Sequence, residues 1–293
     1  MNMIVLCTMQ QIFPNSEVFE LLQNIPGMTW TPGVSQRFTN LSEFQLSSLF
    51  NPIMFKSQIQ SQKQDTNHFS NTELPDNWSW VEQSPECIVV GDQGYCGSCW
   101  AFSATNQLSD NRCIQQKDKQ RINYSEQFTL ACDHLSLGCN GGYLGSVQSF
   151  LFKKGTVTDS CVPYTSGKSS HQGKCPNKCV DGTELVLTKS SSYKGQLQGE
   201  MQIMAALMKG TVQTQFICYE DLMYYTAGIY QHVHGKIKAA HAVQMVGYGE
   251  ENGVKFWTIK NSWGQNWGEN GYFRIIRGQD ECGIEIDAYE LNP

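Results

Sequence analysis

Hydrophobic spacing divides this chain into two parts. Trp100, Ala101, Phe102, Ala104 and Leu108 recur at helical intervals, which predicts a buried helix with Cys99 on its first turn. Val18, Phe19, Leu21, Leu22 and Ile25 predict a short helix near the start, with Ser16 placed to cap it. Residues 201–208 read as another helix. The apolar runs at 210–217, 242–247, 256–260 and 272–276 are strand-like. Between the first helix and these elements come isolated aromatics (Trp30, Phe38, Phe44, Phe50, Phe55) and a polar run, 57–72, rich in Gln, Asn and Ser. That run has little to bury and is expected to be exposed and open to proteolysis. No internal repeat appears.

Bulk properties narrow the classes. The chain has 293 residues, 40% of them hydrophobic, and a formal charge of −6. Lys and Arg are scattered without a basic stripe, which argues against nucleic-acid binding. No apolar run approaches the ~18 residues of a membrane span. Twelve cysteines point to an oxidising compartment, and sequons at Asn40, Asn77 and Asn123 are compatible with it. Residues 3–9 form a short apolar stretch without a basic flank or a clear cleavage site; residues 1–16 are expected to be a signal peptide.

The chemistry concentrates in Gln93-Gly94-Tyr95-Cys96-Gly97-Ser98-Cys99-Trp100. A thiol on the first turn of a helix feels the positive end of the dipole, which favours the reactive thiolate. The Cys-x-x-Cys spacing alone would also suit a redox dithiol, but no βαβ pattern surrounds it. Zinc would need a second close pair and a His pair; Cys175 and Cys179 do not complete one. His241 and Asn261 lie 142 and 162 positions after Cys99.

Around these residues the chain resembles the papain family of cysteine proteases, in its cathepsin B-like branch. The resemblance spans roughly 74–293. It rests on Cys-Gly-Ser-Cys-Trp at 96–100, Gly-Cys-Asn-Gly-Gly-Tyr at 138–143, Gly-Ile-Tyr-Gln-His-Val at 228–233, Asn-Ser-Trp-Gly-Gln-Asn-Trp-Gly at 261–268 and Arg-Gly-Gln-Asp-Glu-Cys-Gly-Ile-Glu at 277–285. It implies an α+β, papain-like two-lobe fold, with a helical lobe at about 74–185 and a β lobe at about 186–293. A propeptide at 17–73 would lie backwards through the cleft as the enzyme's own inhibitor. The family's bridges carry over as Cys87–Cys113, Cys96–Cys139, Cys132–Cys175 and Cys161–Cys179. Cys7 would leave with the leader. Cys218 and Cys282 remain as buried thiols or, less favoured, as a fifth bridge.

The resemblance also assigns roles. Cys99 is the nucleophile, His241 its base and later acid, and Asn261 orients the imidazole under Trp263. Gln93 and the Cys99 N–H would hold the oxyanion. Gly141 and Gly142 would admit a peptide strand, with Tyr143, Leu144 and Ala242 walling S2 and Asp287 at its floor, able to pair with a P2 arginine. Ala239-Ala240 replaces the glycines usual before the histidine.

Cathepsin B grips a C-terminal carboxylate with two histidines on an inserted loop. Here the corresponding stretch, 162–174, is short and carries only His171; His232 and His234 read as surface strand residues. An endopeptidase is therefore expected, acting on polypeptides, open to cystatin-like inhibitors, monomeric, without metal or organic cofactor, and resident in a lysosome-like or extracellular compartment. Two other readings stay open: an inactive binding homologue, and a papain-fold acyltransferase.

Overall fold

The computed structural model describes residues 15–39, 41–42, 45–46, 48–50 and 74–293. The expected signal peptide (apart from its last two residues), the sequon at Asn40, the aromatics Phe44 and Phe55, and the polar run at 57–72 lie outside the described residues.

Helix α1 (Ser16–Gln23) forms where the apolar spacing placed it, but Asn15 caps it, accepting from the backbone N–H groups of Glu17 and Val18 at 3.0 and 3.5 Å. Ser16 is already helical, so Asn15 takes the cap. Strand β1 (Trp30–Pro32) follows. After Leu74 come β2 (Trp78–Ser79) and α2 (Trp80–Gln83). The helices α3 (Cys99–Ile114), α4 (Glu126–Cys132), α5 (Leu144–Lys153) and the single turn α6 (Ser166–Ser169) come next. Then β3 (Ser192–Leu197) leads to α7 (Gly199–Leu207), β4 (Val212–Tyr219) and β5 (Tyr225–Tyr230). The chain closes with β6 (Ile237–Glu251), β7 (Val254–Lys260), β8 (Tyr272–Ile276) and β9 (Ala288–Asn292).

The strands form one sheet in the order β1-β5-β8-β7-β6-β4-β9-β3, with β2 also on β6. The β5–β8 pair is parallel and the rest are antiparallel. Pairing of β6 sets Phe216 against His241, Gln215 against Ala242, and Gln244 against Lys260. Register therefore brings the expected base beside the start of the Asn261 loop.

Helix α3 is buried on nearly every side. Trp100, Ala101, Ala104 and Leu108 pack with Leu144, Val147 and Leu151 of α5 and with Ala240 and Ala242 of β6. Its buried polar positions are all used. Asp110, with no solvent exposure, accepts from Arg121 Nε at 2.9 Å and Gln244 Nε2 at 2.7 Å and is paired with Lys260. One carboxylate thus ties the cysteine-bearing helix to both β6 and β7. Burial of two or three charges is tolerable only because each has a partner.

A larger core lies against the sheet and includes Phe216, Trp257, Trp263, Trp267 and Phe273. The leading segment contributes to the same core through Leu22, Trp30, Phe38, Leu46, Leu49 and Phe50. Four disulfides staple the stretch 87–179: Cys87–Cys113, Cys96–Cys139, Cys132–Cys175 and Cys161–Cys179, the pairs the resemblance implies. Cys99, Cys218 and Cys282 are free thiols. Among the described residues no helix is long and apolar enough to cross a membrane.

Candidate active site

Cys99 is the first residue of α3, and its sulfur accepts a hydrogen bond from the Ala242 N–H at 3.5 Å. The turn before it is tight. A Cβ on Gly97 would lie 2.5 Å from the Cys139 carbonyl oxygen and 2.9 Å from that of Phe50, so only glycine fits. Gly142 is glycine for an inward reason as well. A Cβ there would be 2.5 Å from the Trp100 ring, so the backbone carrying Gly141 and Gly142 is pulled close to the helix.

His241 precedes Ala242 on β6. Its Nε2 is 2.7 Å from Asn261 Oδ1, and the same oxygen accepts the Ser262 N–H at 2.8 Å. An oxygen that accepts from both makes Nε2–H the donor and leaves the lone pair on Nδ1, which is buried with no hydrogen-bond partner. Trp263 stacks on the ring at 4.7 Å and shields the His241–Asn261 bond. Gln93 is fully buried; its Oε1 accepts from Ser262 Oγ at 2.7 Å. Its Nε2 donates to the Cys96 carbonyl at 2.9 Å and to the Leu49 carbonyl at 3.0 Å.

That last contact changes the electrostatics. Phe50 sits edge-on to Trp263 at 5.8 Å and to His241 at 6.4 Å, and neither Cys99 nor His241 is exposed. Burial pushes the Cys99 thiol up to about 12, against opposing backbone hydrogen bonds from Ala242 and Trp100. Burial likewise pushes His241 down to about 4, partly opposed by Asn261. The helix dipole was expected to favour thiolate; in this covered site desolvation wins, and both groups are neutral at pH 7.

Leu144 and Ala242 are buried and Tyr143 is exposed. Asp287 is half-buried, its carboxylate accepting from Gln215 Nε2 at 2.6 Å and from Tyr289; burial raises its pKa. The short stretch 162–174 packs on neighbouring structure. Tyr164 Oη donates to the Gln93 carbonyl at 2.8 Å, Tyr95 N–H donates to the Gly167 carbonyl, and Gln127 Nε2 donates to Ser166 Oγ and the Gln172 carbonyl. His171 is exposed.

His232 and His234 are in a loop and not in a strand. Buried Asp221 accepts the backbone N–H groups of Val233 and His234 at 2.8 and 3.0 Å and meets His232 Nδ1 at 3.0 Å. Those amides are spent on a carboxylate and cannot join a ladder.

Sequence reasoning missed Ser262, which orients Gln93, and Gln215, which engages Asp287. It named Phe50 only as an isolated aromatic and passed over Leu49 and Arg37. The hydrogen-bond partners of Ser262, Gln215, Leu49 and Arg37 are 44 to 169 residues away in sequence, and those of Phe50 lie still farther, so no local pattern marks them.

Comparison with known proteins gives the family and the fold. The family model described as papain family cysteine protease matches residues 74–291. Cathepsin B-like CP2 of Giardia intestinalis is 44% identical over 264 residues, covering 89% of this chain and 88% of that protein. A cathepsin B-like cysteine proteinase of Schistosoma japonicum is 30% identical, covering 95% and 91%. Among solved structures, procathepsin B S9 from Trypanosoma congolense superposes with a TM-score of 0.84 at 28% identity, covering 95% of this chain and 98% of that one. A digestive procathepsin L 3 from Tenebrio molitor gives 0.72 at 27% identity, covering 94% and 86%. With a thiol at a helix start, an imidazole held by an amide, and these relatives, the chain belongs to the papain family of cysteine proteases, among its cathepsin B-like members.

Proposed function

We propose that this protein is the zymogen of a thiol endopeptidase. The observation that carries the reading is the Leu49 carbonyl on Gln93 Nε2: a peptide carbonyl of the chain itself takes the donor that, in this reading, a scissile carbonyl would use. Residues 37 and 38 lie by Asp92 and Trp263, and residues 49 and 50 by Gln93 and His241. In our reading the leaving-group half of a substrate lies toward Trp263 and the acyl half toward Gly141 and Gly142. The prosegment then runs opposite to a substrate, which keeps it from being cut.

Once the segment leaves, water reaches the pair and the proton can pass from Cys99 to His241 Nδ1. The thiolate attacks the scissile carbonyl, and the oxyanion is held by Gln93 Nε2 and the Cys99 N–H, donors worth ~3–4 kcal/mol of barrier each. His241 gives its proton to the departing amine, leaving a thioester. Water, deprotonated by His241, then releases the acid and restores the thiol. Asn261 fixes the ring throughout.

The compact 162–174 stretch supports an open leaving-group side and hence internal cleavage. At S2 we assign apolar residues or arginine. For arginine, Asp287 must exchange its bonds to Gln215 and Tyr289 for the guanidinium. A P2-variable peptide library assayed on the processed enzyme tests this: Asp287→Ala should lose P2 arginine while keeping P2 leucine, and unchanged arginine turnover would remove Asp287 from the pocket. The disulfides support passage through the secretory pathway, to a lysosome-like or extracellular destination.

A further inference from the structure

Arg37 is the only Lys or Arg in the first 55 residues, and it is spent on one spot. Its Nη2 donates to Asp92 Oδ1 at 3.0 Å and to the Gly94 carbonyl at 3.0 Å, and its guanidinium lies 5.6 Å from the centre of the Tyr95 ring. The Arg37 side chain keeps 13% exposure, whereas Asp92 keeps 52%. The cation is enclosed; the carboxylate stays accessible at the rim.

The receiving groups belong to rigid structure. Asp92 Oδ1 also accepts the Gly94 N–H at 2.8 Å, which closes a local turn. Its backbone bridges to Trp263, and Gly264 N–H bonds the Gly91 carbonyl. Tyr95 is anchored through its own N–H to the Gly167 carbonyl at 2.7 Å. None of these contacts depends on the prosegment, so the hollow persists after it leaves. The next residue, Phe38, packs edge-on to Trp263 at 5.3 Å, and Asp92 bridges to the same residue, so in the reading above the hollow lies on the leaving-group side of Cys99.

We propose that the Asp92 carboxylate, Gly94 carbonyl and Tyr95 ring form a cation subsite that selects an arginine on the leaving-group side of the scissile bond. This rests on the endopeptidase reading, since only a substrate continuing past the cut can reach it. A guanidinium suits the set: it offers planar donors to two oxygens and a face to the ring. Lysine satisfies the charge but not the plane and is taken second. Arg37 is the placeholder, docked by a chain of opposite direction.

The test compares quenched fluorescent peptides carrying arginine or citrulline one, two or three residues after the cleaved bond. Citrulline keeps the shape and loses the charge. The processed enzyme is expected to show roughly tenfold higher kcat/KM for arginine at one of these positions at low salt, with the ratio falling as salt rises. Asp92→Asn retains an oxygen for the Gly94 N–H, and in it the ratio should collapse toward one. A ratio near one in the wild type at all three positions, or a ratio that Asp92→Asn leaves intact, overturns the proposal. The same peptides are also titrated onto Cys99→Ala protein whose prosegment has been clipped by a trace of wild-type enzyme. Tighter binding of the arginine peptide there supports the subsite even if no peptide is cut, an outcome that would sink the endopeptidase reading alone. Equal binding of the two counts against the subsite.

Discussion

Replacing Phe50 by alanine in the unprocessed protein should expose Cys99 without touching it. Phe50 is 4% exposed and wedges between Trp263 and His241. Truncating a buried phenylalanine typically costs about 3–5 kcal/mol, and here most of that falls on seating the prosegment, because the ring's partners belong to the mature domain. At ~1.4 kcal/mol per tenfold, the population with an uncovered site rises roughly 10²–10³-fold. The assay is the rate of Cys99 carbamidomethylation by iodoacetamide at pH 7, read by peptide mass mapping so that Cys218 and Cys282 are counted separately. Phe50→Leu, which keeps most of the volume, should fall in between. If Phe50→Ala protein remains folded and Cys99 reacts no faster than in the wild type, then burial by the prosegment is not what silences the thiol.

Gln93→Ala should lower kcat of the processed enzyme about 10²–10³-fold with little change in KM, and steady-state kinetics on one fluorogenic peptide decide it; a KM effect alone would place Gln93 in ground-state binding. Asp110→Asn strands Lys260 and Arg121 in the interior, for a loss of about 3–5 kcal/mol. Calorimetry should show Lys260→Met recovering part of that loss in the double variant, and strictly additive losses would deny the pairing. His241 is held near 4 against an ordinary 6.5, so the unfolded chain takes the proton first. Its contribution, about 3 kcal/mol, is fully present above pH 6.5 and is lost as pH falls through about 4. Glu126, raised to about 7 by burial, acts the other way, losing its contribution as pH rises from the ordinary range through about 7. Melting of the Cys99→Ala zymogen between pH 7 and 4 should therefore show a smaller acid loss when His241 is also glutamine; equal slopes would mean the ring is already solvated.

Legibility followed the range of the interactions. The α3 helix, the β6 to β8 strands and the positions of Cys99, His241 and Asn261 could be read from periodicity and motif, because local backbone geometry and a continuous apolar face determine them. The α1 cap was off by one residue, since Asn15 and Ser16 are both capping types and only geometry chooses between them. The silenced thiol was unreadable. It depends on Leu49 and Phe50 reaching the cleft from far along the chain, and desolvation there outweighs the helix-end effect that the motif suggested. Asp287 was legible as a position and not as an environment, because Gln215 reaches it from a different strand.

The most direct measurement is mass spectrometry of an unfolded polypeptide digested by the acid-activated protein, with Cys99→Ala as control. The account predicts internal cuts, absent from the control. A ladder of C-terminal dipeptides would contradict the open leaving-group side, and intact polypeptide from correctly processed enzyme would contradict the protease itself.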